Sequence, residues 1–131
     1  ERLRIQPSDF IGLRVLADRD LIVLALRQVS DNALKYSSPD APVVYRAAVE
    51  NARLVLRVCD EGPGVPERDR ERIFDKFYRR PNARQVPGSG LGLHIAREIA
   101  RIHHGDLWVE PGELKGATFC LALPLAKEAA A

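Results

Sequence analysis

The chain has 131 residues, 46% of them hydrophobic and 29% charged, with a formal net charge of +2. That length fits one domain able to bury a core, and the near-neutral balance excludes a general electrostatic field for nucleic acid or membrane surfaces. The apolar runs are too short to span a bilayer and Glu1-Arg2-Leu3-Arg4 is no signal peptide, so without an initiator Met the chain reads as a piece of a longer protein.

Leu3-Arg4-Ile5 and Leu13-Arg14-Val15-Leu16 alternate as short strands around a Pro7-Ser8-Asp9 turn. Asp18 or Asp20 then caps a helix from about Leu21 to Tyr36, whose stripe Ile22, Leu26, Val29, Ala33 and Tyr36 faces the core. Gln28, Asn32 and Lys35 form a second row, roughly 110° round the helix at 100° per residue. One flank at the core margin therefore carries two carboxamides and an ammonium. Arg27 and Asp31 take the outer face, and Leu34 falls beside Arg27 without an evident packing partner.

Ser37-Ser38-Pro39-Asp40 ends the helix, and strands at Val43–Val49 and Arg53–Cys59 pair as a hairpin around Glu50-Asn51-Ala52. By the period of two, Leu54, Leu56, Val58 and Asp60 share a face, which points a carboxylate toward the layer interior at the strand's end. An ionised carboxylate buried there needs donors from backbone or ligand. Glu61-Gly62-Pro63-Gly64 follows as a turn against which a ligand can lie.

Pro66-Glu67-Arg68-Asp69 opens a short helix running to Ile73-Phe74. Residues Pro81 to Pro87 have no clear period and read as a loop carrying Arg79, Arg80 and Arg84 toward Gly88-Ser89-Gly90-Leu91-Gly92-Leu93. In that stretch three alternate glycines leave backbone N–H groups bare, and Leu93, Ala96, Ile99, Ala100 and His103 then recur at helical spacing up to a His104-Gly105 stop. A glycine turn opening a helix is an anion site. It matches neither common phosphate fingerprint, having no Lys after the last Gly and a spacing unlike G-x-G-x-x-G.

Two more strands, Asp106–Glu110 and Ala117–Leu123, are joined through Pro111-Gly112-Glu113, and a tail over residues 125–131 frays. Cys59 and Cys120 lie in apolar alternating runs and read as buried structural thiols, with no His neighbours for zinc.

The order of these elements resembles the catalytic, ATP-binding domain of two-component sensor histidine kinases, within the wider Bergerat-type ATPase group that includes gyrase-like and MutL-like proteins. Gln28-Val29-Ser30-Asp31-Asn32-Ala33-Leu34-Lys35-Tyr36 is similar to the N box, and Asp60-Glu61-Gly62-Pro63-Gly64 to the first glycine box. Ile73-Phe74-Asp75-Lys76-Phe77-Tyr78-Arg79 resembles the F box and Gly88 to Leu93 the second glycine box. The resemblance implies that Asp60 accepts from the exocyclic amine of adenine and that Gly64 allows close approach of the base. Asn32 would hold a magnesium ion bridging the phosphates, Lys35 would meet phosphate oxygens, and Tyr36 would pack near the sugar or base. Gly88, Gly90 and Gly92 would surround the phosphates, with Arg79 a candidate for γ-phosphate charge. The nucleotide-contacting set so implied also takes in Gly62, Val65, Phe77, Ser89, Leu91, Leu93 and Thr118.

Two departures stand out. The first N-box position is Gln28 where these kinases often carry Asn, which favours a water-mediated metal contact over direct ligation. Gyrase-like and MutL-like members carry a water-activating Glu there, a job a carboxamide cannot do, so a kinase is favoured over a hydrolysing clamp. The second is an absence: nothing here resembles the helix that bears the phosphoacceptor histidine. His94, His103 and His104 suit packing or capping.

The implied architecture is one α/β domain over residues 1–131, a two-layer sandwich. Three helices cover one face of a mixed sheet of about five strands, the other face is largely solvated, and a lid over about 74–92 is least ordered without ligand. The implied function is binding Mg-ATP and passing its γ-phosphoryl to a histidine on a separate or upstream dimerisation domain, and through it to a response regulator. The isolated domain would be monomeric, the full protein a homodimer, and this part cytoplasmic, with no nucleic-acid partner. The alternatives are a nucleotide-binding module that has lost transfer, motivated by Gln28, or an ATPase or serine kinase of the same fold.

Overall fold

Asn51 and Ala52 both take left-handed φ, 53° and 61°. Two such residues make the tight hairpin turn whose twist suits the flanking strands, and Glu50 pairs directly with Arg53. In this computed structural model, which describes residues 3–5, 15–78, 90–112 and 115–126, that hairpin is the centre of a five-stranded sheet. Its strands are β1 (Leu3–Ile5), β2 (Val43–Glu50), β3 (Arg53–Cys59), β4 (Asp106–Pro111) and β5 (Ala117–Pro124). They lie in the order β1-β2-β3-β5-β4, parallel between β1 and β2 and antiparallel elsewhere, so the sheet is mixed as expected. The strand expected at 13–16 reduces, among the described residues, to a single bridge from Val15 to Leu125.

Helices α1 (Arg19–Tyr36) and α2 (Gly92–Ile102) cover one face. Asp18 caps α1 by accepting from Leu21 N–H at 3.1 Å, an interaction worth about 1 kcal/mol. Its own N–H donates to Nε2 of His103, whose Nδ1 donates to the Ile99 carbonyl, so one imidazole ties the start of α1 to the end of α2. Ala25, Ala33, Ala96 and Ala100 are fully buried, small enough to let the helices lie close.

The core arc of α1 is centred on Ala25, Val29 and Ala33, with Ile22 and Leu26 half-buried beside it. Leu34 is not on a solvent face: it packs, half-buried, against the core. The reason is a second contact row at i, i+4 and i+8. Leu26, Ser30 and Leu34 share a flank, and Ser30 hydrogen-bonds the hydroxyl of Tyr45 on β2. The third helical segment is two separate 3-10 turns, Glu67–Asp69 and Arg72–Phe74. Among the described residues no helix is long and apolar enough to cross a membrane.

The opposite face of the sheet is not simply solvated. Val55, Cys120 and Ala122 are buried there, with Trp108 half-buried against them. The Arg53 guanidinium sits 5.8 Å from the Trp108 ring centre, and Arg57 forms paired bonds of 2.5 and 3.1 Å to Glu50. Long charged side chains thus roof a small apolar patch with their stems. Cys59 departs from expectation in being only half-buried, because it stands at the strand's end, whereas burial pushes the Cys120 thiol up to about 12.

At about pH 8, near the ordinary thiol range, an alkylating reagent should therefore label Cys59 and spare Cys120 until denaturant is added. Peptide mass spectrometry checks this. Equal labelling of both in the folded protein would contradict the packing of the open face.

Candidate functional site

Asp60 follows the last residue of β3 and is 5% exposed. Its Oδ1 accepts from Gly62 N–H at 2.9 Å and Ala117 N–H at 3.1 Å, while its own N–H donates to the Ala117 carbonyl at 2.9 Å. Those donors offset the desolvation of the carboxylate. The surrounding backbone is packed too tightly for side chains. A Cβ on Gly62 would fall 2.4 Å from the Tyr36 carbonyl oxygen, and one on Gly116 would fall 2.1 Å from that of Asp60. Three segments, the end of α1, the loop after β3 and the start of β5, thus meet backbone to backbone around one acid. Gly64 joins them with φ 78°, and Val65 is buried in the core beyond it.

The flank of α1 carrying Gln28, Asn32 and Lys35 turns toward the start of α2. Gln28 and Asn32 are half-buried and Lys35 is exposed, with Tyr36 half-buried at the helix end. Gln28 Oε1 lies 2.5 Å from where a Cβ on Gly92 would stand, so its carboxamide rests on the first residue of α2. Leu91, at the N-cap, gives α2 no side-chain cap. Phe77 N–H donates to the Gly90 carbonyl at 2.9 Å, and the Phe77 ring is 67% exposed. Leu93 is buried in the core, so only its backbone faces the helix start.

Thr118 is the sequence candidate whose side chain leaves the helix-covered face of the sheet. Alternation along β5 turns Ala117, Phe119 and Leu121 toward the helices and Thr118 toward the opposite face. There it lines an open concavity of about 290 Å³ that Arg57, Glu110, Lys115 and Asp60 also line. The β5 backbone that meets Asp60 is that of Ala117 and Gly116. The small-residue run Gly116-Ala117-Thr118 was the only signal for them. Arg79, Gly88 and Ser89, with Arg80 and Arg84, lie outside the described residues. No group of three His, Cys, Asp or Glu able to hold a metal occurs among the described residues.

Residues 17–127 match the family described as histidine kinase-, DNA gyrase B- and HSP90-like ATPases. The chain belongs to this family. Among relatives of this ATPase-family domain, the sensor histidine kinase WalK of Bacillus subtilis is 41% identical over 120 residues, covering 88% of the chain and 20% of WalK. The sensor-like histidine kinase SenX3 of Mycobacterium tuberculosis is 40% identical over 122 residues, covering 90% of the chain and 29% of SenX3. The chain therefore spans less than a third of the length of either. Its fold is also that of solved histidine kinase domains. A mycobacterial sensor histidine kinase MprB superposes with a TM-score of 0.81 at 31% identity, over 95% of this chain and 82% of that one. Full-length ShkA, solved with AMPPNP, gives 0.81 at 28% identity over 98% of this chain and 26% of ShkA.

Within the ATPase-family fold, Asp60 has a structural role separable from any ligand. Asp60→Asn keeps an oxygen to accept both backbone bonds and should change unfolding free energy by less than about 1 kcal/mol. Asp60→Ala strands two buried N–H groups and should cost about 1–3 kcal/mol for each. Urea titration of the two variants checks the contrast.

Proposed function

We propose that this domain binds Mg-ATP and donates its γ-phosphoryl group to a histidine on a separate or upstream dimerisation domain. The observation that carries the reading is spatial. A buried acid at the sheet rim and a carboxamide-bearing helix flank stand on the same side of the sheet, and the flank abuts the uncapped start of α2. The bonds from Gly62 and Ala117 both fall on Oδ1 of Asp60, which leaves Oδ2 to accept from the exocyclic amine of adenine. Gly62 and Gly64 keep that wall low enough for a flat base, with Val65 beneath it.

At the other end, the first N–H groups of α2 point at the phosphates with the favourable end of the helix dipole. Gly88, Ser89, Gly90, Leu91 and Gly92 contribute backbone there, Phe77 flanks it, and Lys35 and Arg79 contribute charge. Asn32 and, through water, Gln28 offer oxygens of the hard type that magnesium takes. Their donor set fits an ion held mainly by phosphate and water rather than by a carboxylate cage. When bound, the ion supplies charge neutralisation across the phosphates. The protein's own task is positioning, since phosphoryl transfer asks little covalent chemistry of it. Gln28 cannot take a proton from water, which disfavours hydrolysis and supports transfer to the histidine of the other domain.

The remaining features of this reading concern the whole protein. The chain acts as one domain of a homodimeric kinase, with a response regulator downstream and this part in the cytoplasm. A second reading, a nucleotide-binding module without transfer, is favoured by one observation: the longer Gln28 side chain rests on Gly92, where the phosphate site begins.

Asp60→Asn should weaken ATP binding at least about tenfold, because hydrogen bonds to charged groups contribute about 1.5–3 kcal/mol. Calorimetry with magnesium present checks it, and unchanged affinity would refute the base pocket. Radiolabelled transfer should appear only when a His-bearing helical domain is added. A wild type that stays inactive there, yet is rescued by Gln28→Asn, would establish the module reading instead.

A further inference from the structure

Helix α2 grips the segment leading into residues 79–89 at two points. His94 Nδ1 lies 3.3 Å from the Phe74 carbonyl oxygen, and Arg97, one turn on, sets its guanidinium 4.4 Å from the Phe74 ring centre. The same guanidinium donates to both carboxylate oxygens of Glu71, at 3.1 and 2.9 Å, and approaches Asp106 at 3.5 Å. The Arg97 side chain is 12% exposed but its Glu71 partner is 77% exposed, so the contact with the Phe74 ring and the Asp106 side, rather than the Glu71 pair, carries the grip. The Phe74 ring packs edge-on against Phe119 of β5, 6.3 Å away, which anchors the assembly to the sheet.

Three residues beyond Phe74 the two stems of the segment meet. Phe77 has φ 64° and Gly90 has φ 78°, joined by the bond from Phe77 N–H to the Gly90 carbonyl. A Cβ on Gly90 would fall 2.8 Å from Phe77 Cα, so the closure tolerates no side chain there. Gly92 opens α2 two residues later. One stem is thus continuous with α2, and the other is held to α2 by His94 and Arg97.

We infer that Arg97 is a positioning residue for the nucleotide's phosphates: by holding the Phe74 stem it fixes the Phe77–Gly90 closure against the start of α2. The inference rests on the reading of that helix start as the phosphate site. Arg97 itself stands five residues along α2, roughly 7.5 Å from its first residue at 1.5 Å per residue, and acts through Phe74. The planar fork and the ring stack are both specific to Arg, so Lys keeps the charge and loses the clamp.

The test compares wild type with Arg97→Lys and Arg97→Ala in two measurements. Hydrogen exchange at the Phe77 amide should speed up about tenfold in Arg97→Lys, the scale of one lost charge-assisted contact, while amides of Leu54–Val58 keep their protection. By calorimetry with magnesium, affinity for a non-hydrolysable adenine triphosphate should fall about fivefold while affinity for adenosine stays the same. A merely structural Arg97 would lower thermal stability and leave the triphosphate-to-adenosine ratio alone. That result, or an unchanged Phe77 exchange rate, overturns the inference. A wild type binding no adenine compound would instead overturn the reading of the site, and Phe77 exchange would still decide whether Arg97 holds the closure.

Discussion

The site depends on how closely three stretches of backbone approach one another around Asp60. With 2.4 Å between a hypothetical Cβ of Gly62 and the Tyr36 carbonyl oxygen, no L side chain fits, and Gly116 is equally constrained against Asp60. This contact does two things at once. It brings the end of α1, and so the row Gln28, Asn32 and Lys35, to the same rim as the acid. It also supplies the amides of Gly62 and Ala117 that let a carboxylate stay buried. A burial cost of several kcal/mol would otherwise displace or neutralise such a group. Geometry and charge are therefore solved by the same close packing.

Helix α1 is held on two sides, and this aims its polar row. Leu26, Ser30 and Leu34 lie toward β2 through the Ser30–Tyr45 hydrogen bond, while the buried arc of Ala25, Val29 and Ala33 meets the core. That turns the row Gln28–Asn32–Lys35 to the other side of the helix, where Gln28 meets Gly92 of α2. Rotation about the helix axis is blocked from both sides. The link from His103 to Asp18 then fixes α1 lengthwise, because it pins the start of α1 to the end of α2. A carboxamide on a helix is a precise ligand only when that helix cannot turn, and here the turning is prevented by packing rather than by the polar residues themselves.

Much of this was legible in the residues, and the exceptions have physical causes. The strands around Asn51-Ala52, the inward position of Asp60 and the helix after Gly92 follow from periods of two and 3.6. Leu34 packs where a single stripe leaves it without a partner, because one stripe describes a helix with one neighbour and α1 has the sheet on one flank and α2 on another. Thr118 enters the nucleotide-contacting set only through the family resemblance, and alternation from Phe119 turns its side chain to the face away from the helices. Ala117 contributes an amide, and main-chain donors leave no trace in residue type. The patch of Val55, Cys120 and Ala122 was missed for a related reason: its cover is made of arginine stems and Trp108, which composition counts as polar surface or as core.

Gln28 shows how one departure changes the chemistry available without changing the fold. Its extra methylene carries the amide oxygen onto the first residue of α2, and Gly92 has no Cβ to obstruct it. The two positions are coupled: a side chain at 92 would displace the amide, and a shorter amide at 28 would leave the glycine open to solvent or phosphate. A carboxylate in the same place would repel phosphate oxygens at rest and could take a proton from water during reaction. The carboxamide does neither, since it is neutral and its oxygen is a very weak base. On the proposed reading, residue 28 gives an acceptor no base, which suits a neutral imidazole, whose nitrogen needs none, better than a hydroxyl.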